Sequence, residues 1–293
     1  DVLSDHLVGM AFCTKPGKAW FVPLPAEREK VTEILEHFRS VFENPEIEKT
    51  GQNLKFDIAV LRNYGIRVSG KLFDTMLAHY LLQPDMRHNL DVLAETYLNY
   101  TPVGIEALIG KKGKSQKSMR DVPLEDLTVY ACEDADVCQQ LREVFEPMLQ
   151  EKELTGLFHQ IETPLIPVLA QMEHEGVRID REALDQYSLE LQHRISELEN
   201  AIFELAGTTF NIASPKQMGE ILFDKLKIDP KAKKTKTKQY STSEDVLTRL
   251  ESRHPIIKHI LDYRSLAKLK STYADALPRL INPFTGRIHT SYN

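Results

Sequence analysis

Seven regularly spaced apolar residues between Asp180 and Gly207 restrict the folds that this chain can adopt. The seven recur at spacings of three and four positions: Leu184, Tyr187, Leu191, Ile195, Leu198, Ile202 and Leu205. This spacing keeps all of them on one narrow stripe of an α-helix, and such a stripe predicts a second helix packed along it. Asp180 favours a helix start and Gly207 a helix end. The predicted helix of roughly 25 residues is on the order of 37 Å long.

The partner that the sequence offers is the amphipathic segment 256–277. Between the two predicted helices lies a lysine-rich segment, residues 225–238, with seven lysines and one aspartate. Two long helices joined through such a segment predict an arm with a basic tip, which suits binding to phosphate groups. A helical hairpin that binds nothing is an equally good interpretation of the periodicity alone.

The first 150 residues follow a different pattern. Two short β-like runs, 7–13 and 19–24, predict a hairpin, and 27–44 predicts an amphipathic helix. Further helices are predicted to begin near Asp74 and to span 124–148 behind Pro123. We therefore predict an α/β domain with a mixed sheet over residues 1–150, followed by a mainly helical domain over 151–293.

Composition narrows the class of protein. The chain has 293 residues, 42% of them hydrophobic, and no apolar run reaches the length of a membrane span. This predicts a soluble, cytoplasmic protein with two domains. The net charge of −6 argues against a protein that coats nucleic acid uniformly, although lysines cluster at 110–117 as well as at 225–238. The missing initiator Met predicts a piece of a longer protein.

The acidic stretch YACEDAD, residues 130–136, lies within the predicted helix 124–148. Tyr130 and Asp134 are four residues apart and share a helix face, whereas Glu133 and Asp136 point elsewhere. An aspartate beside an apolar stripe is costly unless it is paired or binds a cation, which makes Asp134 the candidate ligand. A structural hydrogen bond between Tyr130 and Asp134 is the simpler alternative.

A second acidic position, Asp57, begins the apolar-periodic segment IAVLRNY. A carboxylate that interacts with a helix dipole is the common explanation for an aspartate at such a place. Two separated aspartates and a tyrosine also suit hard divalent cations, which take oxygen ligands. Pairs of such cations cleave phosphodiesters, one activating water and the other stabilising the leaving oxygen.

Eight motifs place the chain beside a known family. They are GQNLKFD, FDTML, HNLDVLAE, YACEDAD, FNIASPKQM, STSEDVL, YRSLAKLKSTY and INPFTGRIHTSY. In this order they resemble the bacterial DNA polymerase I family, also called family A, over essentially the whole chain. The resemblance implies a 3′→5′ proofreading exonuclease domain of RNase H-like fold over 1–150. It implies the start of a polymerase domain, chiefly the thumb, over 151–293. For the parent protein it implies DNA-directed DNA synthesis in replication and repair, association with the nucleoid, and primer-template DNA, single-stranded 3′ ends and dNTPs as partners.

The resemblance also assigns roles at the acidic positions. Asp134 would ligate the metal on the nucleophile side, Asp57 would support the second metal through water, and Tyr130 would orient the attacking water. The metals would be Mg²⁺, with Mn²⁺ or Zn²⁺ as alternatives. The family's Asp-x-Glu motif is expected before Asp1, and the palm aspartates after Asn293. We therefore expect these 293 residues alone to be inactive in both reactions, with an empty metal site.

Further residues match DNA-contacting positions of the family. Those matching the single-strand channel are Gln52, Asn53, Phe56, which competes with core packing as an explanation, and Ile105, at a position that is aromatic in the family. Those matching duplex contacts, with the lysines of the basic tip, are Asn211, Ser214, Lys216, Gln217, Lys234, Lys236, Lys268, Lys270, Ser271, Thr272, Tyr273, Arg287, His289, Thr290 and Tyr292. Lysines and short hydroxyls suit phosphate contacts, which fix register without reading sequence.

Two other functions fit part of the pattern. An RNase D-like 3′→5′ exoribonuclease shares the exonuclease motifs, but it would not need the thumb motifs of residues 208–293. A non-catalytic DNA-binding module would need only the basic and hydroxyl residues.

Overall fold

The computed structural model describes residues 6–113, 115–235 and 238–292. The chain forms two compact units, Asp1–Glu175 with Ser291–Asn293, and Gly176–Thr290. The change in sequence pattern lies near residue 151, but residues up to 175 belong to the first unit. The reason is that helix Thr163–Glu175 buries Ile166 and Ala170 in a cluster with residues of helix Leu54–Arg62.

The first unit has two pairs of strands. Strands β1 (Gly9–Lys15) and β2 (Lys18–Pro23) form the predicted antiparallel hairpin, and its turn contains Gly17 at a φ of 75°. Strands β3 (Lys49–Gly51) and β4 (Leu72–Asp74) pair in parallel. Both strand orientations of the predicted mixed sheet are therefore present. In the part of the chain that the structure describes, they form two separate two-stranded sheets.

Helices make up most of the first unit. They are α1 (Arg28–Phe42), α2 (Leu54–Arg62), α3 (Thr75–Leu82), α4 (Leu90–Leu93) with a π-helical continuation (Ala94–Leu98), α5 (Ile105–Ile109), a 3₁₀ turn (Met119–Asp121), α6 (Leu124–Glu151), α7 (Thr155–Leu157) with a π-helical turn (Phe158–Glu162), and α8 (Thr163–Glu175). Helix α6 begins behind Pro123 as predicted, and it continues through Pro147 for 28 residues.

Helix α2 differs from its prediction at its first turn. It begins at Leu54, three residues before Asp57, so Asp57 lies in the first turn rather than at the start. Asn53 precedes the helix in the left-handed conformation, at a φ of 59°, which asparagine tolerates better than most residues. The sequence pattern missed this start because the apolar periodicity becomes visible only after Asp57.

One buried carboxylate joins the starts of α2 and α3. Asp74 is 1% exposed and accepts hydrogen bonds from Asn53 N at 3.2 Å, Leu54 N at 2.7 Å, Met76 N at 2.9 Å and Leu77 N at 3.3 Å. Asp74 is thus the helix cap that the sequence predicted for α3, and it also binds the backbone that enters α2. Each bond satisfies a backbone N–H that has no partner within its helix.

The cores of the first unit hold α6 in place. Leu141 and Phe145 of α6 are fully buried in a cluster with Phe73 of β4 and Phe158, and Leu127 is buried in a second cluster. The apolar stripe predicted for α6 is therefore confirmed. It fixes the rotation of the helix, and with it the direction of the acidic residues between Leu127 and Leu141.

The second unit is built on the predicted long helix. Helix α9 spans Arg181–Ala206, Asp180 accepts a bond from Ala183 N at 3.0 Å, and Gly207 ends the helix at a φ of 62°. The predicted partner is α12 (Pro255–Leu269) with its π-helical continuation (Lys270–Ala274). Leu266 of α12 packs with buried residues of α9, so the predicted helix pair is confirmed. Between α9 and α12 lie α10 (Pro215–Gly219), a π-helical turn (Glu220–Lys225), α11 (Glu244–Thr248) and a 3₁₀ turn (Glu251–Arg253), and another 3₁₀ turn (Leu277–Leu280) follows α12.

The lysine-rich segment is partly described. Lys234 lies 3.7 Å from a carboxylate oxygen of Asp224, and its Nζ is 4.8 Å from the centroid of the Tyr240 ring. Lys236 lies outside the described residues. A search of the described helices finds none that is long and apolar enough to span a membrane.

Candidate functional site

Tyr130 and Asp134 lie one turn apart on α6 and are joined by a side-chain hydrogen bond. The pKa of Asp134 is raised to about 6, mainly by burial; the Tyr130 hydroxyl opposes the shift by donating to the carboxylate, and the charges of Asp91 and Glu133 add to it. Burial and the neighbouring carboxylates hold the pKa of Tyr130 well above its usual value. Tyr130 therefore stays a neutral hydrogen-bond donor at physiological pH.

Asp57 combines solvent access with a desolvated setting. Its residue keeps an exposed surface, yet the surrounding protein atoms raise its pKa to about 7, with the charge of Asp74 as the second cause. A carboxylate that solvent can reach, but that protein atoms surround on most sides, suits a ligand that enters from solvent. A bound cation would favour its charged form.

The charges of three aspartates act on the thiol of Cys138. This thiol is buried on α6, one turn after Asp134, and burial is the main cause of its strongly raised pKa. The charges of Asp134, Asp57 and Asp74 raise the pKa further, so all three carboxylates act on the same thiol. Asp57, from α2, and Asp134, from α6, thus both act on this thiol across 77 positions of sequence, although neither is among the charges that shift the pKa of the other.

The two other acids of YACEDAD have structural partners. Glu133 accepts a hydrogen bond from the Tyr100 hydroxyl and one of 2.7 Å from Val103 N. Asp136 accepts one of 2.6 Å from Gly17 N in the β-hairpin turn. Both point away from Asp134, as the helical spacing predicted.

The carboxylates offer an incomplete ligand set for a divalent cation. Asp74 already accepts four backbone N–H groups, which leaves Asp57 and Asp134 with the Tyr130 hydroxyl as oxygen donors. Across residues 6–113, 115–235 and 238–292, no group of three His, Cys, Asp or Glu side chains is arranged to hold a metal ion. The oxygen donors present are of the type that Mg²⁺ takes, and further ligands would have to join them.

The raised pKa of Asp57 predicts a pH-dependent cost to stability. An aspartate with a folded-state pKa of about 7 costs nothing below its ordinary pKa, and its full cost is present above about pH 7. We expect Asp57→Asn to raise the free energy of unfolding near pH 8 by on the order of 1 kcal/mol, a value reduced for the solvent access of the group. The gain should shrink towards pH 5. Urea unfolding in EDTA at both pH values measures it, with Glu143→Gln, at an exposed position on α6, as the control. An equal gain at both pH values would contradict the expectation.

The residues predicted for the single-strand channel lie near the start of α2, with one exception. Phe56 is 44% exposed, so it is not a core residue. The Gln52 amide donates to the carbonyl of His88 at 2.5 Å and accepts from the Thr75 hydroxyl, and Asn53 N binds Asp74. Ile105 is the exception: it begins α5 and is also 44% exposed. Phe56 and Ile105 therefore both expose apolar surface to solvent.

Sequence reasoning missed three neighbours of the acidic site. Asp91 raises the pKa of both Asp134 and Tyr130, the charges of three aspartates raise the pKa of Cys138, and the His88 carbonyl accepts from Gln52. Cys138 carried a signal, since it lies four residues after Asp134 on a helix. Asp91 and His88 reach the site through tertiary contacts that no local spacing reveals.

Several residues predicted for duplex contacts stabilise a turn of the second unit. The Gln217 side chain accepts from Asn211 N at 2.8 Å, the Asn211 side chain accepts from Ala213 N at 2.9 Å, and Ser214 caps α10 through Gln217 N at 3.4 Å. Lys216 is exposed beside them. The turn is therefore rigid, and it presents a lysine to solvent.

The other predicted duplex residues of this unit lie along α12 and the segment that follows it. Lys268, Ser271, Thr272 and Thr290 are exposed, and Tyr273 is 50% exposed. Three more have protein partners: Lys270 binds Asp275 at 2.8 Å, Arg287 donates to the carbonyl of Gly176 at 3.2 Å, and His289 lies 2.7 Å from the Thr285 hydroxyl. Tyr292 belongs to the first unit, where its N–H donates to Glu173 at 2.7 Å.

A cleft of about 680 Å³ connects three of these segments within the second unit. Its lining includes Ala213 and Pro215 from the turn, Ser241 and Thr242 from the segment after the lysines, and Arg264 from α12. Arg264 donates to Thr242 and to the sulfur of Met218. The turn and α12 thus face one another across this groove.

Two family models match the chain. The one described as 3'-5' exonuclease matches residues 2–150, about half of the chain, and the one described as DNA polymerase family A matches residues 181–293. The chain belongs to the 3′-5′ exonuclease family. The polymerase match beyond residue 181 does not favour an RNase D-like exoribonuclease, which would have no use for it.

Curated relatives of this chain carry the name DNA polymerase I. The protein of Pseudomonas aeruginosa is 41% identical over 304 residues, which cover 100% of this chain and 33% of the relative. That of Chloroflexus aurantiacus is 42% identical over 300 residues, which cover 99% of this chain and 32% of the relative. The resemblance to bacterial DNA polymerase I is therefore confirmed, and the chain spans about a third of the length of these relatives.

A solved structure matches the chain as well. The POL domain of Pol1 from M. smegmatis, in complex with DNA primer-template and dNTP, superposes with a TM-score of 0.76 at 28% identity. The match covers 94% of this chain and 44% of that one. The predicted fold, an exonuclease domain followed by a helical thumb, is confirmed.

Proposed function

We propose that these 293 residues form the exonuclease domain and thumb of a DNA polymerase I that proofreads from the 3′ end. The observation that carries the proposal is that the charges of Asp57 and Asp134 both act on the buried Cys138 thiol, within a domain of the exonuclease family. The parent protein would extend primer-template DNA with dNTPs, as the complex of the M. smegmatis Pol1 suggests. Its place would be on the DNA of the nucleoid in the cytoplasm.

Hydrolysis at the acidic site would use Asp57 and Asp134 as ligands of divalent cations. Bound Mg²⁺ would supply an activated water and charge stabilisation at the leaving oxygen. Tyr130, a neutral donor bonded to Asp134, would orient a water beside that carboxylate. Because the pKa values of Asp57 and Asp134 are about 7 and 6, cation binding near neutral pH would displace protons from the pair.

The strand that carries the scissile bond would be held near the start of α2. Exposed Phe56 offers a face for stacking of a terminal base, which is worth about 1–3 kcal/mol per base. Hydrogen bonds to Thr75 and His88 hold the Gln52 side chain in one orientation. In that orientation it would contact the last nucleotide. Ile105 would add an apolar contact.

The thumb would hold duplex DNA through phosphate contacts. Exposed lysines and hydroxyls lie on the turn before α10 and at the end of α12, and these segments face a common groove. Such contacts position a duplex without reading its sequence. Lysines of the basic tip would add affinity that falls as the salt concentration rises.

The full-length protein provides the test. With Mg²⁺, it should release mononucleotides from the labelled 3′ end of single-stranded DNA and extend a primer on a template. Degradation of single-stranded RNA in preference to DNA would instead support the exoribonuclease, and DNA binding without any release would support a binding module.

A further inference from the structure

Two histidines, His79 and His88, contact one another next to the single-strand residues. Neither takes part in the proposed hydrolysis. His79 of α3 is fully buried, and its Nδ1 lies 2.7 Å from Nδ1 of His88. Its Nε2 lies 3.0 Å from the Tyr97 hydroxyl. The His79 ring packs between these partners and Phe145, whose centroid is 5.6 Å away.

Two neutral tautomers of His79 can satisfy its two contacts, and in one of them His79 is the donor to His88. In that tautomer the Tyr97 hydroxyl donates to Nε2, and the imidazole proton on Nδ1 is donated to His88. Burial lowers the pKa of His79, and the neighbouring His88 lowers it further, so the neutral form is favoured. His79 therefore holds His88 with a directed hydrogen bond from inside the core.

The backbone of His88 contacts Gln52, one of the single-strand residues. Its carbonyl accepts the 2.5 Å hydrogen bond from the Gln52 amide. The segment 84–89 that contains it leads directly into α4, which carries Asp91, the charge that acts on Asp134. A shift of His88 would therefore release one end of Gln52 and move the first turn of α4.

We propose that His79 is a positioning residue for the 3′-end pocket, acting through His88 to hold Gln52 in place. The role of Gln52 as a nucleotide contact rests on the proposed function. The mechanical part, the dependence of segment 84–89 on the ring of His79, rests only on the contacts.

Two substitutions at His79 separate its two bonds. The amide nitrogen of His79→Asn reaches the place of Nδ1 and can still donate to His88, whereas that of His79→Gln reaches the place of Nε2 and meets only Tyr97. Both leave one buried amide of similar polarity, so the general cost to the core is matched. Amide hydrogen exchange of residues 84–89 measures the mechanical effect. Affinity for a single-stranded DNA with a free 3′ end, in EDTA, measures the effect on binding.

The Gln variant should exchange at least about tenfold faster in segment 84–89 and bind the 3′ end about fivefold to tenfold more weakly, as expected for the loss of one hydrogen bond. In the Asn variant, the exchange rate and the affinity should both stay within about twofold of those of the unsubstituted protein. Gln52→Ala should weaken binding as much as His79→Gln. If both His79 variants prove too unstable, His88→Ala, at a half-buried position, should give the same loosening.

Equal behaviour of the Asn and Gln variants would overturn the proposal, because a role in packing alone does not distinguish the two nitrogens. Unchanged exchange in His88→Ala would overturn it as well. If the parent protein binds no 3′ end, the proposed function fails, and the exchange measurement still decides whether His79 positions the segment.

Discussion

Asp134→Ala is expected to lower the rate of 3′→5′ degradation by the full-length protein by on the order of 10³-fold. The substitution removes a proposed cation ligand and the acceptor of the Tyr130 hydroxyl. The cation would therefore bind more weakly, and the water beside it would be less well oriented. Release of labelled mononucleotides from single-stranded DNA in Mg²⁺ measures the rate. Primer extension by the same preparation should stay within about twofold, because Asp134 lies outside the polymerase match.

Glu143→Ala provides the matched control, since it removes an exposed carboxylate from the same helix. It should leave degradation unchanged. Equal degradation rates for Asp134→Ala and Glu143→Ala would remove the basis for placing the reaction at this site. A loss of primer extension in Asp134→Ala would point to damage to the fold instead.

Asp74→Ala is expected to cost about 3 to 5 kcal/mol of stability. Four backbone N–H groups lose their acceptor at once, at a place with almost no access to water, and the starts of α2 and α3 lose their common cap. Urea unfolding at neutral pH measures the loss. Degradation should fall too, because α2 carries Asp57 and Phe56.

Asp180→Ala is the comparison for Asp74→Ala. Asp180 also caps a helix, but through one backbone bond, to Ala183 N. Loss of such a cap costs about 1 kcal/mol. If Asp74→Ala costs no more than Asp180→Ala, then Asp74 does not hold two helices together in solution.

The sequence predicted those features that a local pattern encodes. The bounds of α9 follow from Asp180, Gly207 and the apolar stripe between them, because caps and helical periodicity act within a few residues. The choice of Asp134 over Glu133 and Asp136 follows from the rotation of about 100° per residue in a helix. That choice, combined with family motifs, also led to Asp57.

Features that depend on distant residues could not be predicted. Asp74 was expected to cap α3, but its second role, at α2, requires the parallel pairing of Gly51 with Asp74. The position of α8 within the first unit depends on a contact between Ala170 and the α2 cluster, which the change of pattern near residue 151 concealed. The bond between His79 and His88 arises from the path of the chain between α3 and α4.

The position of Cys138 has a consequence for oxidising conditions. Thiols react with peroxides and alkylating agents in their ionised form, and ionisation here is opposed both by burial and by three negative charges. Cys138, one helical turn from Asp134, is therefore kept in its unreactive thiol form. Oxidants that attack ionised thiols would spare this position of α6.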